Sequence, residues 1–321
     1  MRYRLFGRTG LRVSELFLGA MIFDDAAEAR RIIDAFADAG GNVIDTASAY
    51  GDSECLLGEV LTRRDRFVLA TKYTLSHDRA DPNAAGSHRK NLVGSLERSL
   101  RRLRTDYVDV YWVHIWDRHT PLEETMRALD DVVRAGKVLY VGISDAPAWV
   151  VSRANTLAEW RGWTPFAGIQ VPYNLLDRDI ERELLPMAEA LGLSVAGWAP
   201  MAHGALTGST TRIDPGSLSD RQRRAADAVR TVADDIGATP AQVAISWTTA
   251  RSAAVHPIVG VRSAAQLAEN LGALDVVLPE AALHRIEAAA PFELGFPGAF
   301  IAECERDPFV FGDAQVIGGS S

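Results

Sequence analysis

The sequence contains little of what marks several classes of protein. It has two cysteines in 321 residues, Cys55 and Cys304, and neither belongs to a C-x-x-C pair. A disulfide framework and a zinc site therefore have no support, so we expect reduced thiols in a cytoplasmic protein that holds no metal. There is no apolar run of about 18 residues and no N-terminal apolar stretch of signal-peptide length, so we expect no membrane span.

Positive charge is in deficit. The net charge is -8, which argues against a nucleic-acid partner on electrostatic grounds. One local basic cluster, Arg98, Arg101, Arg102 and Arg104, recurs at helical spacing beside Glu97. We interpret this cluster as the solvated face of a helix.

The glycine signature of an open dinucleotide-binding sheet is missing. Such a sheet carries G-x-G-x-x-G after its first strand. Here the first buried strand, Leu16 to Leu18, is followed by Gly19-Ala-Met-Ile-Phe-Asp24, which does not match. This argues against a doubly wound sheet.

Short apolar runs that alternate with amphipathic segments are present instead. Strands this apolar are typical of a parallel sheet that is buried on both faces. The length allows two domains, but no linker or low-complexity segment divides the chain. Eight strand–helix units favour one closed (β/α)8 TIM barrel in a single domain over residues 1–321. The predicted strands are Leu16–Leu18, Asn42–Ile44, Phe67–Thr71, Val108–Val113, Val138–Ile143, Gly168–Val171, Ser194–Trp198 and His256–Gly260.

The two ends of the chain lie outside this repeat. Tyr3 to Phe6 and Leu11 to Val13 flank a glycine-bearing turn and predict an N-terminal β-hairpin. Gly295 to Ser321 is loop-like and carries four phenylalanines, so we expect this tail to pack over the barrel mouth. They are Phe296, Phe300, Phe309 and Phe311.

Helix starts are marked by residues that cap or begin a helix. Ser87 and Thr120-Pro121 predict the starts of two helices. Pro147 and Pro240 likewise predict the starts of two later helices.

Three of the predicted strands end in residues that can transfer a proton. Asp45 and Tyr50 follow one strand, Lys72 ends the next, and His114 follows the third. An ammonium favours a phenolate and lowers the pKa of a tyrosine, and a carboxylate would hold the lysine charged. A histidine beside the phenol could bond the same substrate oxygen. The set suits protonation of a carbonyl oxygen rather than hydrolysis, and without a metal or flavin motif a nicotinamide is the natural hydride donor.

Each of these residues also has a plain structural interpretation. Asp45 and Lys72 could form only an ion pair inside the barrel. Tyr50 could anchor a loop, and His114 could be a satisfied core histidine. Their joint placement at the carboxyl ends of strands, where barrel enzymes carry their active sites, favours the functional interpretation.

The chain resembles the aldo-keto reductase superfamily over nearly its whole length. The matching stretches include Leu5–Ser14, Asp45–Glu54 with Leu57-Gly58, Thr71-Lys72, Asp109–His114 with Asp117, Gly142–Ser144, Gln170 with Tyr173-Asn174, Trp198–Pro200, and Gly260–Ser263 with Gln266 and Glu269-Asn270. The resemblance implies a (β/α)8 barrel and NADP(H)-dependent carbonyl reduction. It places the family's tetrad on Asp45, Tyr50, Lys72 and His114, with Tyr50 as the general acid.

The resemblance also implies which residues bind the cofactor. Ser144, Asp145 and Gln170 match the positions that hold the carboxamide, and Trp198 matches the aromatic that stacks on the nicotinamide. Pro200, Gly204, Leu206 and Gly208 match the loop along the pyrophosphate. Arg262, Ser263, Gln266, Glu269 and Asn270 match the adenosine end. A cation and helix-start N–H groups at Arg262 and Ser263 favour a 2′-phosphate, so NADPH is expected and NADH less so; a plain surface arginine is the alternative.

Two departures from the family pattern bear on these expectations. Asp145 replaces the usual asparagine, and a carboxylate accepts from a carboxamide NH₂ but cannot donate to its oxygen. The segment His203 to Ser219 is short compared with some relatives, so a cofactor-locking loop is expected to be reduced or absent.

The substrate is expected to be a small carbonyl compound. Phe23, Trp116 and Met201 are expected to line the pocket and suggest an apolar or aromatic substrate. A cofactor-binding regulatory subunit resembling potassium-channel β subunits, or an NAD-dependent sugar or polyol dehydrogenase, are the alternatives. The sequence leaves the natural substrate, the direction of reaction and the oligomeric state open.

Overall fold

The computed structural model describes residues 1–208, 215–306, 310 and 312. Within these residues the predicted barrel is confirmed: eight parallel strands form a closed barrel in which each pairs with the next along the chain and the last pairs with the first. The strands are β3 Phe17–Gly19, β4 Val43–Asp45, β5 Val68–Tyr73, β6 Val108–Val113, β7 Val138–Ser144, β8 Phe166–Pro172, β9 Ser194–Trp198 and β10 Val255–Gly260.

Helices surround the barrel and connect its strands. They are α1 Ala26–Asp38, α2 Ser53–Val60, α3 Arg89–Leu103, α4 Leu122–Arg134, α5 Ala148–Arg161, α6 Leu184–Leu191, α7 Asp220–Ile236, α8 Pro240–Arg251, α9 Ala264–Leu271, α10 Glu280–Ala289 and α11 Gly298–Arg306. The single-domain organisation over residues 1–321 stays a prediction.

The N-terminal hairpin is confirmed and closes the amino end of the barrel. Its strands, β1 Tyr3–Leu5 and β2 Arg12–Ser14, pair antiparallel with Tyr3 opposite Ser14. The ring of Phe6 meets the Trp112 ring edge-on at 6.1 Å between centroids. Gly7 N–H donates to Ser194 Oγ at 2.9 Å. Apolar packing therefore fills the amino end and leaves the carboxyl end as the place where polar groups can meet a ligand.

The predicted helix starts are partly confirmed. Thr239 caps α8 through a capping box, with Pro240 at the first helical position. Ser87 is wrong as a cap, because α3 is capped by His88, whose Nδ1 accepts from Asn91 N–H at 3.3 Å. Thr120 is also wrong, because its hydroxyl donates to Asp117 at 2.5 Å.

The prediction of a loop-like tail is wrong in part, because Gly298–Arg306 forms α11. The run from Ala299 to Arg306 is rich in good helix formers and follows Pro297, a signal outweighed in the sequence by the phenylalanines. Phe296 and Phe300 are exposed, and Phe309 and Phe311 lie outside the described residues.

None of the helices in the described ranges combines the length and the apolar character that a membrane crossing requires. The cytoplasmic location stays a prediction.

Candidate active site

A cavity of about 640 Å³ opens at the carboxyl end of the barrel. It is built by the last residues of the strands and by the loops that follow them. Its lining is Gly19, Met21, Ile22, Asp45, Tyr50, His114, Ser144, Asp145, Gln170, Trp198, Ala199, Pro200, Met201, His203, Gly204, Thr207, Ile258, Gly260, Arg262, Ser263 and Gln266. Most of the residues predicted to be functional therefore face one space.

The deepest feature of the site is a buried ion pair. Lys72 is fully buried, and its Nζ donates to Asp45 Oδ2 at 2.5 Å and to the Thr46 carbonyl at 2.9 Å. Gln170 Nε2 donates to the other carboxylate oxygen of Asp45 at 3.0 Å. Strand pairing sets this geometry, because Asp45 ends β4 and Lys72 lies two residues beyond its β5 partner Ala70. A buried charge is tolerated only with partners of this kind.

Tyr50 lies beside the ammonium of this pair. Lys72 Nζ is 4.9 Å from the centroid of the Tyr50 ring. Burial raises the pKa of Tyr50 above its ordinary value, and the positive charge of Lys72 offsets part of that rise. The expected lowering by the ammonium is present, but desolvation of the phenol is the larger effect. Tyr50 is therefore held protonated, the form in which a general acid begins.

His114 packs against Tyr50 as a neutral imidazole. The two rings meet edge-on, with centroids 5.7 Å apart and planes at 82°. Burial and the charge of Lys72 lower the pKa of His114 to about 3. Its Nδ1 is buried and has no hydrogen-bond partner among the described residues. At neutral pH the ring can donate one hydrogen bond without adding a positive charge to the site.

Asp145 follows Ser144 at the end of β7 in a left-handed conformation, with φ of 46°. Asparagine and aspartate adopt this region more readily than other L residues, which explains why either fits the position. Its N–H donates to the Gln170 carbonyl at 3.2 Å. Desolvation of the carboxylate by the surrounding protein raises the pKa of Asp145, and hydrogen bonds from Trp198 and Ser144 offset only part of that rise.

The turn after β9 is strained where it borders the cavity. Ala199, Ala202 and His203 all have positive φ, at 54°, 49° and 57°. Such conformations cost on the order of 1–3 kcal/mol each and persist where neighbours enforce them. Asn174 Nδ2 is one such neighbour and donates to the Ala199 carbonyl at 3.0 Å. The turn brings His203 to 6.1 Å from the Trp198 ring.

The far end of the cavity is the start of α9. Ser263 caps this helix, its Oγ accepting from Gln266 N–H at 3.2 Å. Gln266 Oε1 in turn accepts from the backbone N–H of Arg262 at 2.9 Å. The N–H of Ala264 donates to Glu28 Oε1 at 2.9 Å, so a carboxylate from α1 already occupies one donor of the helix start. The Arg262 side chain is exposed.

Several predicted residues do not line this cavity. Phe23 is buried in the core with 8% of its surface exposed, and Met21 and Ile22 line the cavity in its place; a substrate contact by Phe23 stays a prediction. Trp116 is half-buried and packs edge-on against Trp149 at 5.5 Å, outside the lining. Leu206, Gly208, Glu269, Asn270 and the described part of the tail are also outside it. The placement of the tail over the mouth stays a prediction.

Other lining residues were missed by sequence reasoning. Ala199, His203 and Thr207 belong to the strained turn, and Gly19 to the end of β3. Their signal was position alone, since each follows a barrel strand at its carboxyl end. Among the described residues no group of three or more histidine, cysteine, aspartate or glutamate side chains could hold a metal ion.

The chain matches the model of the aldo/keto reductase family over residues 15–291. The chain belongs to the aldo/keto reductase family. Membership makes it an oxidoreductase of carbonyl and alcohol groups.

Several relatives in the family are similar over almost the whole chain. The norsolorinic acid reductase of Emericella nidulans is 40% identical, over 94% of this chain and 84% of the relative. The aryl-alcohol dehydrogenase [NADP(+)] of Phanerodontia chrysosporium is 37% identical, over 90% and 85%. A putative aryl-alcohol dehydrogenase of Saccharomyces cerevisiae is 34% identical, over 96% and 91%.

The residues of this family member fit a nicotinamide dinucleotide. The cavity runs from Tyr50 to Arg262 and Ser263, so one continuous space joins Tyr50 to the start of α9. His114, which lines this cavity, has a buried Nδ1 without a partner in the described part of the chain. Unsatisfied buried groups are uncommon and point to a missing partner.

Proposed function

We propose that the protein reduces an aldehyde or ketone to an alcohol with NADPH, and that Tyr50 supplies the proton. The observation that carries the proposal is the contact of Tyr50 with both the Lys72 ammonium and the neutral His114 at the base of one cavity. A nicotinamide cofactor, when bound, supplies the hydride that reaches the carbonyl carbon.

Tyr50 completes the reduction at the oxygen. As the carbonyl carbon gains the hydride, its oxygen becomes an alkoxide, and the Tyr50 hydroxyl transfers its proton to that oxygen. The phenolate left behind is stabilised by the ammonium of Lys72, which lies close to the ring. In the reverse direction the same phenolate takes the proton from an alcohol.

The other members of the tetrad prepare this transfer. Asp45 and the Thr46 carbonyl hold Lys72 charged and oriented. His114, being neutral, donates a hydrogen bond to the substrate oxygen and stabilises the charge that develops there. Gln170 links this group to the wall of the cavity through its bond to Asp45.

The proposed cofactor contacts follow the cavity from the tetrad to α9. Ser144, Asp145 and Gln170 would hold the carboxamide, with Trp198 against the nicotinamide ring. Pro200, Gly204, Leu206 and Gly208 would follow the pyrophosphate, and Ser263, Gln266, Glu269 and Asn270 the adenosine. Arg262 would meet a 2′-phosphate, which favours NADPH over NADH. An NADP(+) dependence in the name of one relative supports this preference.

We infer an aromatic carbonyl compound as substrate. Met21, Ile22 and Met201 contribute apolar side chains to the lining of the cavity that also contains Tyr50. Thioether and branched aliphatic side chains pack well on flat rings. Two of the relatives are named as aryl-alcohol dehydrogenases, and the third as reducing norsolorinic acid.

The test is oxidation of NADPH and of NADH by the purified protein with 4-nitrobenzaldehyde. We expect turnover with NADPH and an about tenfold or larger loss of kcat/KM with NADH, since a charged contact to the 2′-phosphate is absent. Tight NADPH binding without turnover on any carbonyl would favour the regulatory-subunit alternative. Preference for NADH with a sugar or polyol would favour the alternative of an NAD-dependent sugar or polyol dehydrogenase.

A further inference from the structure

The loop that carries Tyr50 is held from outside the barrel by one arginine. Arg102, in the last turn of α3, donates from Nη1 to the Ser48 carbonyl at 3.4 Å and from Nη2 to the Gly51 carbonyl. These two carbonyls stand on either side of Tyr50 in the chain. Arg102 Nε also donates to Cys55 Sγ at 3.3 Å, so the guanidinium spans the whole loop and the start of α2.

Behind this loop, a buried carboxylate joins Arg102 to the strand of the catalytic lysine. Glu54 is fully buried, and its Oε2 lies 3.5 Å from Arg102 Nη1. Its other oxygen accepts from Thr71 Oγ1 at 2.7 Å. Thr71 is the neighbour of Lys72 on β5. A continuous path of polar contacts therefore runs from the lysine strand through Glu54 and Arg102 to both flanks of Tyr50.

We propose that Arg102 and Glu54 are positioning residues that fix Tyr50 against Lys72 for proton transfer. A planar guanidinium can bond several acceptors at once in fixed directions, which suits a clamp on two backbone carbonyls. Glu54 supports the clamp through an ion pair at 3.5 Å rather than a hydrogen bond, since a buried carboxylate needs a cation close by. The proposal rests on the proposed function for its kinetic consequences.

The expectation that the arginine cluster of α3 is a solvated face is wrong at Arg102. Arg101 and Arg104 are exposed, as expected. Arg102 is half-buried, with 31% of its side chain exposed, and turns toward the Tyr50 loop. The signal that separates it from its neighbours is its pairing with Glu54, which sequence spacing does not reveal.

The test compares Arg102→Met with Arg101→Met, which removes the same charge from the next residue of the same helix. We expect Arg102→Met to lower kcat about 30-fold, because small misplacement of a catalytic group is costly. NADPH affinity should stay within about twofold, since the proposed cofactor contacts lie elsewhere. Amide hydrogen exchange over residues 47–56 should accelerate in Arg102→Met and not in Arg101→Met.

A purely structural role would change different quantities. It would lower the melting temperature and leave kcat of the folded enzyme equal to that of Arg101→Met, which would overturn the proposal. Arg102→Lys, which keeps the charge but not the fork, should recover part of the activity. The alkaline limb of the pH–rate profile should move upward in Arg102→Met, since a displaced phenol is less stabilised as a phenolate by Lys72.

The proposal can still be tested if Arg102→Met does not fold or if the wild type shows no activity. If Arg102→Met does not fold, Glu54→Gln removes the carboxylate charge and keeps the side-chain volume; we expect a kcat loss of about fivefold, and an unchanged kcat would overturn the proposal. If the wild type reduces no carbonyl, the proposed function fails, and hydrogen exchange alone decides the clamp: equal exchange in Arg102→Met and Arg101→Met would overturn it.

Discussion

His256 and His114 lie at opposite ends of the barrel, and burial keeps both neutral. His256, near the start of β10, has a pKa lowered to about 4; its ring stacks on Phe17 at 4.8 Å and Nδ1 lies 3.3 Å from the Ser14 carbonyl. His114, just after β6, has a pKa lowered to about 3 and a buried Nδ1 without a partner among the described residues. The same residue type is satisfied by the protein at one end, and at the other it lines the cavity with one ring nitrogen unpartnered among the described residues.

The charged pairs of the two ends differ in the same way. Arg64 pairs with Asp109 at 2.7 Å near the starts of β5 and β6, and it also donates to the Phe67 and Tyr107 carbonyls at 2.9 Å each. That arginine joins segments of chain to one another. Lys72 and Asp45 also pair at 2.5 Å, but Asp45 borders the cavity and Lys72 lies under Tyr50. The groups around an ion pair, rather than the pair itself, therefore determine whether it only stabilises the fold or also takes part in the proposed reaction.

Substitutions that break each ion pair should have the largest effects and should separate a structural role from a catalytic one. Lys72→Met should lower kcat about 1,000-fold or more, since the stabilising charge beside Tyr50 is lost. It should also reduce the free energy of unfolding by about 3–5 kcal/mol, because Asp45 is left buried and unpaired. Arg64→Met should destabilise the fold and leave kcat of the folded protein unchanged. Steady-state kinetics and denaturant unfolding of both variants check this, and equal losses of kcat would contradict it.

The two histidines should respond in opposite ways to the same substitution. We expect His114→Gln to lower kcat about 10- to 100-fold with little change in stability, because a hydrogen-bond donor to the substrate oxygen is displaced. His256→Gln should cost about 1–3 kcal/mol of unfolding free energy, since it loses ring stacking and its bond geometry, and should keep kcat. A low kcat per folded molecule in His256→Gln would contradict a purely structural role for His256.

Acid should reveal the buried state of His256. A histidine with a lowered folded-state pKa binds more protons when unfolded, so its contribution to stability is present above about pH 6.5 and is lost as the pH falls toward 4. The shift from 6.5 to about 4 corresponds to on the order of 3 kcal/mol. The stability advantage of the wild type over His256→Gln, measured by urea unfolding, should therefore shrink between pH 7 and pH 4. Parallel curves would show that His256 has the same pKa in the folded and unfolded states, which would contradict this prediction.

The smallest effect is expected at the α9 end of the cavity, where we propose that the adenosine binds. Glu28 holds the Ala264 N–H at the start of α9, and hydrogen bonds from Ala264 and Arg31 lower its pKa, so it stays ionised. Glu28→Gln should tighten binding of 2′,5′-ADP relative to 5′-ADP about three- to fivefold, because a carboxylate no longer opposes the 2′-phosphate. Exposed Glu59 on α2 provides the matched control, Glu59→Gln. Calorimetric affinities that change equally for both nucleotides would assign Glu28 a structural role only.

Sequence reasoning found the parts of this protein that depend on periodicity and on position in the chain. The eight strands, the hairpin and the residues at strand ends follow from apolar runs and their spacing. Asp45, Tyr50 and His114 were expected together because parallel strands end at the same face of a barrel, and they line one cavity.

What the sequence could not reveal depends on the directions of side chains. Whether Phe23 or its neighbours Met21 and Ile22 face the cavity is decided by loop conformation, not by composition. The inward turn of Arg102 depends on a partner, Glu54, that is distant in sequence. The pKa of Tyr50 depends on a balance of desolvation against one charge, which requires the burial of the phenol to be known.

Proton donation by Tyr50 underlies the proposed reaction, and Tyr50→Phe removes the hydroxyl that would donate. The measurement is turnover of NADPH with 4-nitrobenzaldehyde beside Tyr140→Phe, a control that removes a phenolic hydroxyl from β7 outside the cavity lining. We predict that Tyr50→Phe loses about 1,000-fold or more in kcat while NADPH binding persists, and that Tyr140→Phe keeps wild-type turnover. Retention of most of the activity by Tyr50→Phe would contradict the account.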